Sequence, residues 1–280
     1  MENIMLFLQS AFMGIIQGIT EWLPISSTGH LILFNEIINM NVSDNFFEMF
    51  KVVIQFGSIL AVVVLYWSKL NPFTLKKGNE NFKIFGSLAL KKKTLMLYTK
   101  VIVGVIPAGV VGLLFDDIIE GYLSTSLVIA ITLIFYGIVF IVLESTGRKP
   151  KHTDLDKLSY KTAFGIGVFQ ILALIPGTSR SGSTIIGASL LGCSRHVAAE
   201  FSFFLAIPVM LGASLLKLLK FGFNFSMTEW IVLAIGMIVS FIVSVLAIKF
   251  LMGYIRKHDF KGFGVYRIIL GAIILITLLF

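Results

Sequence analysis

The sequence predicts an all-α polytopic membrane protein with six transmembrane helices and two re-entrant helical hairpins. Hydrophobic residues make up 57% of the 280 residues and charged residues only 14%, whereas soluble domains carry about a quarter charged residues. Stretches of about 20 apolar residues are long enough to cross a bilayer. Six such stretches occur, at 47–67, 95–115, 121–143, 197–217, 228–250 and 263–280.

Two further apolar regions are short and interrupted by polar residues. The first consists of 4–20 and 25–38, with Glu21-Trp22-Leu23-Pro24 between them. The second consists of 161–175 and 181–192, with Pro176-Gly177-Thr178-Ser179-Arg180 between them. Irregular backbone is tolerated at membrane depth only where protein buries it or where it lines a cavity. Both regions are therefore predicted to be re-entrant hairpins.

The distribution of positive charge predicts the orientation. The formal net charge of +8 comes from lysines and arginines concentrated in the loops 68–94, 144–161 and 251–262. The predicted turn at 116–120 is acidic and has no basic residue. Loops rich in Lys and Arg stay cytoplasmic, so both termini and the entrance of the first hairpin are expected on the outer face. The same placement in short loops argues against a nucleic-acid partner.

The two halves of the chain share a pattern at an offset of 152 or 153 residues. The matched pairs are Gly14 and Gly167, Gln17 and Gln170, Pro24 and Pro176, Ser27 and Ser179, Gly29 and Gly182, and Glu48 and Glu200. We interpret 1–280 as a single membrane domain with repeat halves at about 1–145 and 155–280, in opposite orientation. Inverted repeats place their functional site at the repeat interface, so the site is expected where the two broken hairpins meet.

The first hairpin supplies candidate acid, base and nucleophile groups. Gln17 and Glu21 are four residues apart and share a face if that arm stays helical to its end. Glu21 and His30 are costly in an apolar hairpin unless they face a polar cavity. Ser27 is the candidate nucleophile. Ser26 is a candidate phosphate ligand, and capping of the second arm by a hydroxyl is the alternative.

The second hairpin reads as an anion site. Arg180 stands at the start of a predicted half-helix, whose free N–H groups and positive dipole end attract anions. Its guanidinium is a planar donor fork suited to phosphate. The hydroxyls of Ser179, Ser181 and Thr184 are further phosphate-binding candidates. The alternatives are an ion pair between Arg180 and Glu21, and close helix packing by the small residues.

A divalent cation, Mg²⁺ or Ca²⁺, is a candidate cofactor because phosphoryl transfer needs charge neutralisation. Gln17 leaves Glu21 as the carboxylate of the first motif, so a metal would use Glu21, Glu48, or phosphate oxygens with waters. Glu48 and Glu200 are supporting candidates that line the cavity or bond to the hairpins, together with Gln170. An ion pair between Glu48 and Lys51 on the same helix is the alternative for Glu48.

The two hairpin motifs resemble the BacA-type undecaprenyl-diphosphate phosphatase family, which is linked to bacitracin resistance. The family's first motif stands here as Gln17, Glu21 and Pro24 to His30, and its second as Pro176 to Thr184. The resemblance extends over essentially the whole chain, including Gln55-x-Gly57, Ala198 to Phe203 and Tyr266-Arg267. Many members have glutamate at the position of Gln17.

This resemblance implies hydrolysis of undecaprenyl diphosphate to undecaprenyl phosphate and inorganic phosphate in the bacterial plasma membrane, with a divalent cation assisting. It also implies that the active site includes Glu21, Ser27, His30, Ser179, Arg180 and Thr184. The residues leave the attacking group open between Ser27, His30 and water, and they leave a homodimer open. A lipid flippase or secondary transporter of an anionic substrate is the alternative function, because broken helices in inverted repeats are typical of transporters.

Overall fold

The computed structural model describes residues 2–75, 81–85, 88–123, 125–222 and 225–278. Helices dominate this part of the chain. They are α1 (Glu2–Thr20), α2 (Ser27–Ile38), α3 (Asp44–Leu65), α4 (Trp67–Leu70), α5 (Lys92–Leu123), α6 (Ser126–Ser145), α7 (Tyr160–Gln170), α8 (Arg180–Leu190), α9 (Arg195–Phe221), α10 (Met227–Tyr254) and α11 (Lys261–Thr277). Short 3₁₀ turns cover Leu155–Lys157 and Ile171–Leu174.

The prediction of an all-α polytopic membrane protein is confirmed. Within the described residues, six helices are long and apolar enough to cross a membrane: α1, α3, α5, α6, α9 and α10. The predicted number agrees, but the members differ. The arm predicted to be short, α1, has 19 residues, whereas α11 has 17 and falls below a full span. The re-entrant course of the two hairpins stays a prediction.

Two local expectations were wrong. The predicted turn at 116–120 is part of α5, which runs without interruption from Lys92 to Leu123. A helix satisfies its own backbone hydrogen bonds, so it can continue past the apolar stretch where no proline stops it. The loop 68–94 also contains a small antiparallel sheet, with strand order β1-β3-β2. Its strands are β1 (Phe73–Thr74), β2 (Asn81–Phe85) and β3 (Leu88–Lys91). Lys76 and Lys77 of this predicted basic loop lie outside the described residues.

Helix packing has matching partners in the two halves. Helix α1 packs on α10 as α7 packs on α5, and α3 packs on α10 as α9 packs on α5. All four of these pairs join the two halves, as do the pairs α6 with α11 and α3 with α9. The division into repeat halves and their inverted orientation stay predictions.

Glycines bring several of these helices into close contact. A Cβ atom built on Gly14 of α1 would lie 2.7 Å from the carbonyl oxygen of Gly236 on α10. Gly137 of α6 and Gly264 of α11 face one another, and a Cβ atom on either would lie 2.7 Å from the other's carbonyl oxygen. Small residues at helix contacts drive packing within membranes by letting backbones approach. The contacts of α1 and α11 with the rest of the bundle thus depend on glycine, and both helices carry residues of the site.

Candidate active site

The tips of the two hairpins meet at a buried ion pair. Arg180 Nη2 donates to Glu21 Oε1 at 2.8 Å, although the two residues are 159 positions apart. The exposed fractions of the two side chains are 11% and 6%. Arg180 Nη1 donates to the carbonyl oxygen of Ser202 at 2.8 Å and to its hydroxyl at 3.2 Å. The guanidinium therefore links the first hairpin, the second hairpin and α9.

The second carboxylate oxygen of Glu21 accepts hydrogen bonds from two other side chains of the first hairpin. Ser27 Oγ donates to Glu21 Oε2 at 2.7 Å, and Gln17 Nε2 donates to the same atom at 3.0 Å. The backbone N–H of Glu21 donates to the carbonyl oxygen of Gln17, so the last turn of α1 places both side chains on one face. A nucleophile candidate thus already has a carboxylate within proton-transfer distance.

The carboxylate of Glu21 lies between the starts of two half-helices. Ser27 is the first residue of α2 and Arg180 is the first residue of α8, and both contact Glu21. The positive dipole ends of both helices therefore face one anionic group. The residues before these helices, Ser26 and Ser179, share a φ of 74°. Such a φ is strained for a residue with a side chain and clusters at functional sites.

The serines at these two positions cap their own helices. Ser26 Oγ accepts from Gly29 N at 3.4 Å, and Ser179 Oγ accepts from Gly182 N at 3.1 Å. Each cap satisfies one of the N–H groups that a helix start leaves free. The sequence analysis offered capping of the second arm as the alternative role of a hydroxyl in the first hairpin. In the structure, Ser26 is that cap.

His30 is held from both sides of its ring. Nδ1 lies 2.7 Å from the carbonyl oxygen of Ser26, and Nε2 lies 2.7 Å from the hydroxyl of Tyr266 on α11. A carbonyl oxygen can only accept, so Nδ1 carries a proton and neutral His30 accepts from Tyr266 through Nε2. The rings are nearly parallel, with centroids 5.7 Å apart. Neither nitrogen of His30 is free in this arrangement.

Arg267 on α11 joins the turns of the two hairpins by hydrogen bonds. Its guanidinium is fully buried and donates to the carbonyl oxygen of Pro24 at 3.0 Å. It also donates to the carbonyl oxygens of Gly177 and Thr178, each at 2.9 Å. Buried carbonyl groups outside helices need such partners. Arg267 is therefore the support that fixes both irregular turns.

The hydroxyls predicted to bind phosphate are engaged within the protein. Thr184 Oγ1 contacts Ser202 Oγ at 2.7 Å and donates to the carbonyl oxygen of Arg180 at 3.0 Å. Ser181 Oγ lies 3.1 Å from Ser179 Oγ and 3.3 Å from the carbonyl oxygen of Glu21. Ser181 and Thr184 are buried, whereas Ser27, Ser179 and Arg180 are partly exposed.

The supporting candidates lie in different places. Glu48 pairs with Lys51 at 2.6 Å and is half exposed, so the alternative of an ion pair on one helix is the one observed. Glu200 is buried and pairs with Lys69 at 2.5 Å. Neither carboxylate has a hydrogen bond to the hairpins among the described residues. Gln170 is buried, and its amide has no hydrogen-bond partner within that part of the chain.

The structure adds three residues that the sequence reasoning did not single out as site residues: Ser202, Tyr266 and Arg267. Arg267 had a usable signal, because an arginine inside an apolar segment is costly and marks a functional site. Tyr266 and Ser202 had none, since one hydroxyl on a long apolar helix is common. Their partners are 236 and 22 positions away in the chain.

The oxygen atoms around Glu21 fit a divalent cation in part. The described residues contain no group of three or more His, Cys, Asp or Glu side chains arranged to hold a metal. Gln17 Oε1, however, is buried without a hydrogen-bond partner in that part of the chain, and it belongs to the amide that contacts Glu21. A carboxylate and an amide oxygen fit Mg²⁺ or Ca²⁺ when phosphate and water oxygens complete the coordination.

The sequence of the chain matches one known family. The profile of the family described as "Bacitracin resistance protein BacA" matches residues 10–273. The chain belongs to the BacA family. The match includes both hairpin motifs and every site residue described above, so the family resemblance inferred from the two motifs is confirmed.

Curated members of the BacA family are similar to this chain over almost their whole length. A protein of Acetivibrio thermocellus named undecaprenyl-diphosphatase is 56% identical over 97% of each chain. Undecaprenyl-diphosphatase 1 of Clostridioides difficile is 58% identical over 95% of this chain and 94% of its own. An undecaprenyl-diphosphatase of Enterococcus faecalis is 56% identical over 96% of both chains.

In this BacA-family chain, Tyr266→Phe is expected to lower kcat by about tenfold, with little change in KM. The substitution removes the hydroxyl bonded to His30 and keeps the stacked ring, so the loss is that of one buried hydrogen bond. Steady-state phosphate release measures it. Tyr254→Phe is the matched control, because that ring stacks on His258 and packs on Phe250 and Phe263, and it has no contact with His30. Equal activity of the Tyr266 variant and wild type would contradict a role in positioning His30.

Proposed function

We propose that the protein hydrolyses undecaprenyl diphosphate to undecaprenyl phosphate and inorganic phosphate. The names of the curated family members support this substrate. The observation that carries the reaction type is the single carboxylate of Glu21 shared by Ser27 at 2.7 Å and Arg180 at 2.8 Å. These contacts place a nucleophile, a base and a phosphate-binding cation at one point.

Substrate binding uses the partly exposed side of this cluster. The diphosphate approaches the starts of α2 and α8 and takes over the Nη2 hydrogen bond that Arg180 gives to Glu21. Arg180 Nη1 keeps its two bonds to Ser202, so the guanidinium stays in place while its partner changes. Positioning and charge stabilisation of this kind supply most of the catalysis in phosphoryl transfer.

Release of Glu21 from Arg180 turns the carboxylate into a base for Ser27. Ser27 Oγ attacks the terminal phosphorus and gives its proton to Glu21 Oε2. The new Oγ–P bond forms as the bond from phosphorus to the bridging oxygen breaks, and undecaprenyl phosphate leaves with that oxygen and the electron pair. Glu21 then loses this proton to water.

A water molecule completes the cycle. It attacks the phosphoserine at Ser27 and gives its proton to Glu21, which passes the proton to Ser27 Oγ as the Oγ–P bond breaks and phosphate departs. His30 is less suited to attack, because Ser26 and Tyr266 engage both of its nitrogens. Its role in this scheme is to hold the turn at Ser26 beside Ser27.

A divalent cation is part of the proposal through Glu21 and Gln17 Oε1. When bound with phosphate oxygens, Mg²⁺ or Ca²⁺ would neutralise charge on the diphosphate. No residue in the scheme above depends on the metal for its proton transfer.

The proposed location is the bacterial plasma membrane, with the site open to the outer face. The excess of Lys and Arg in the loops 68–94, 144–161 and 251–262 supports this orientation, and six apolar helices support a multi-pass protein. Hydrolysis there would return the lipid carrier for peptidoglycan and other cell-wall synthesis. The family's description links its members to bacitracin resistance.

Phosphate release from undecaprenyl diphosphate by the detergent-purified protein tests the function. The assay is run with Mg²⁺, with Ca²⁺ and with a chelator. Sustained release of one phosphate per lipid is expected with metal. A protein that binds the lipid but releases no phosphate under any condition would refute hydrolysis and support the transporter alternative.

Ser27→Ala is expected to lower kcat at least a hundredfold, because the attacking oxygen is removed while Glu21 and Arg180 remain. Thr28→Ala is the matched control, since Thr28 is the next residue of α2 and is equally accessible. It should keep activity within a few-fold of wild type. Wild-type kcat in Ser27→Ala would assign the attack to water.

A further inference from the structure

A cleft outside the active site lies where four helices end. It has a volume of about 710 Å³ and is formed by the end of α6, the loop that follows it, the turn between α8 and α9, and Ile255 after α10. Helix α8 separates it from the active site. Arg180 starts this helix and Leu190 ends it beside the cleft, so the two sites are about 15 Å apart at the rise of an α-helix.

The cleft is cationic, and Glu144 is the one carboxylate among the described residues that line it. Arg148, Lys149, Lys151 and Arg195 line it. Arg195 is matched by Glu144, to which it donates at 2.5 Å through Nη2 and at 3.0 Å through Nε. Within the described residues, the other three cations have no carboxylate at ion-pair distance. Three positive charges therefore remain for an external anion.

Backbone hydrogen bonds fix the loop that carries these charges. The N–H groups of Lys151 and His152 both donate to the carbonyl oxygen of Gly192, at 2.7 and 2.9 Å. Ser194 N donates to the carbonyl oxygen of His152 at 2.8 Å. Gly192 has a φ of +90°, which suits glycine. The loop is thus attached to the turn between α8 and α9, and its cations are held over a defined cavity.

The edge of the cleft is apolar. Leu190 and Leu191 line it, and their side chains are 40% and 37% exposed. A phosphate bound by the cations would therefore have hydrocarbon surface beside it. A free anion makes no contact that requires an apolar edge, whereas a phospholipid has acyl chains next to its phosphate.

We propose that this cleft binds the phosphate headgroup of an anionic phospholipid. Basic pockets between membrane helices on the cytoplasmic side bind such headgroups, and the loop 144–161 is one of those predicted to be cytoplasmic. Arg148, Lys149 and Lys151 contact the phosphate, and Leu190 and Leu191 contact the acyl chains. The site is separate from the catalytic one and does not rest on the proposed hydrolysis.

Calorimetric titration of the full-length protein in uncharged detergent tests this. The probes are short-chain phosphatidylglycerol, phosphatidylcholine of the same chain length, and inorganic phosphate. Saturable binding of one phosphatidylglycerol is expected, at least tenfold tighter than either other probe. Inorganic phosphate binding as tightly as the lipid would overturn the lipid assignment.

Matched variants locate the binding. Arg148→Gln/Lys149→Gln/Lys151→Gln should weaken phosphatidylglycerol binding by about a hundredfold, since each basic residue near a lipid surface contributes about fivefold. Lys161→Gln/Arg256→Gln/Lys257→Gln removes the same charge from positions that do not line the cleft and should change binding less than threefold. Equal losses in both triple variants would reduce the effect to net charge and overturn the proposal.

A third variant should act in the opposite direction. Glu144→Gln frees Arg195 and removes the one carboxylate that lines the cleft. Phosphatidylglycerol is expected to bind severalfold more tightly to it, and unchanged or weaker binding would count against the site. Phosphate release in detergent should stay at the wild-type level in all three variants, because none of these residues contacts Glu21, Ser27 or Arg180.

Discussion

Arg180→Ala is expected to lower kcat/KM for undecaprenyl diphosphate at least a thousandfold. Arginines that stabilise phosphoryl transfer contribute about 10³ to 10⁵ in rate. The substitution also removes the cation that pairs with Glu21, so the carboxylate would face an incoming diphosphate without a counter-charge. Phosphate release at several substrate concentrations measures the effect, and the fall should appear in both kcat and KM.

Two controls separate chemistry from folding in that variant. Arg180→Lys keeps the charge and loses the planar fork, so it should recover part of the binding but little of kcat. Arg256→Ala removes an exposed arginine away from the site and should retain full activity. An Arg180→Ala protein that unfolds at the wild-type temperature and keeps more than a tenth of the activity would contradict the proposed role of Arg180 in binding the diphosphate.

Arg267→Met is expected to lower the free energy of unfolding by about 3 to 5 kcal/mol, the usual cost of breaking a buried charged network. The change leaves the carbonyl oxygens of Pro24, Gly177 and Thr178 without their donor. Thermal unfolding in detergent measures it, and the transition should fall by several degrees or more.

The matched control is Arg256→Met, in which the same change occurs at an exposed site. It should alter the unfolding temperature by no more than about a degree. If Arg267→Met unfolds at the wild-type temperature, the guanidinium does not support the two turns. Loss of phosphate release without loss of stability would instead place Arg267 in direct contact with substrate.

The sequence predicted which segments form long apolar helices better than it predicted where those helices begin and end. Apolar length located α3, α5, α6, α9 and α10, because spans of about 20 residues are set by membrane thickness. The predicted end of α5 was wrong, because the acidic stretch 116–120 was interpreted as a turn. That stretch has no proline, so the helix continues and satisfies its own backbone hydrogen bonds. The sheet in 68–94 was missed because a positive loop is a signal of orientation, not of local structure.

At the site, local spacing predicted local contacts and could not predict distant ones. The i, i+4 spacing of Gln17 and Glu21 correctly suggested that the two side chains share a face. The bonds from Arg267 to both turns and from Tyr266 to His30 depend on how α11 packs against the hairpins. Gly264 of α11 packs closely on Gly137 of α6, and no spacing within α11 reveals such a contact.

The ion pair of Glu21 with Arg180 also bears on how the protein ignores the lipids around it. Phospholipids vastly outnumber the substrate in any membrane, and most carry one phosphodiester charge. To enter, a headgroup must displace a carboxylate that already neutralises a guanidinium and two helix dipoles. A terminal diphosphate brings more charge than that carboxylate, whereas a phosphodiester brings no more. The ion pair of Glu21 with Arg180 therefore selects against any lipid whose headgroup carries no more negative charge than the carboxylate it must displace.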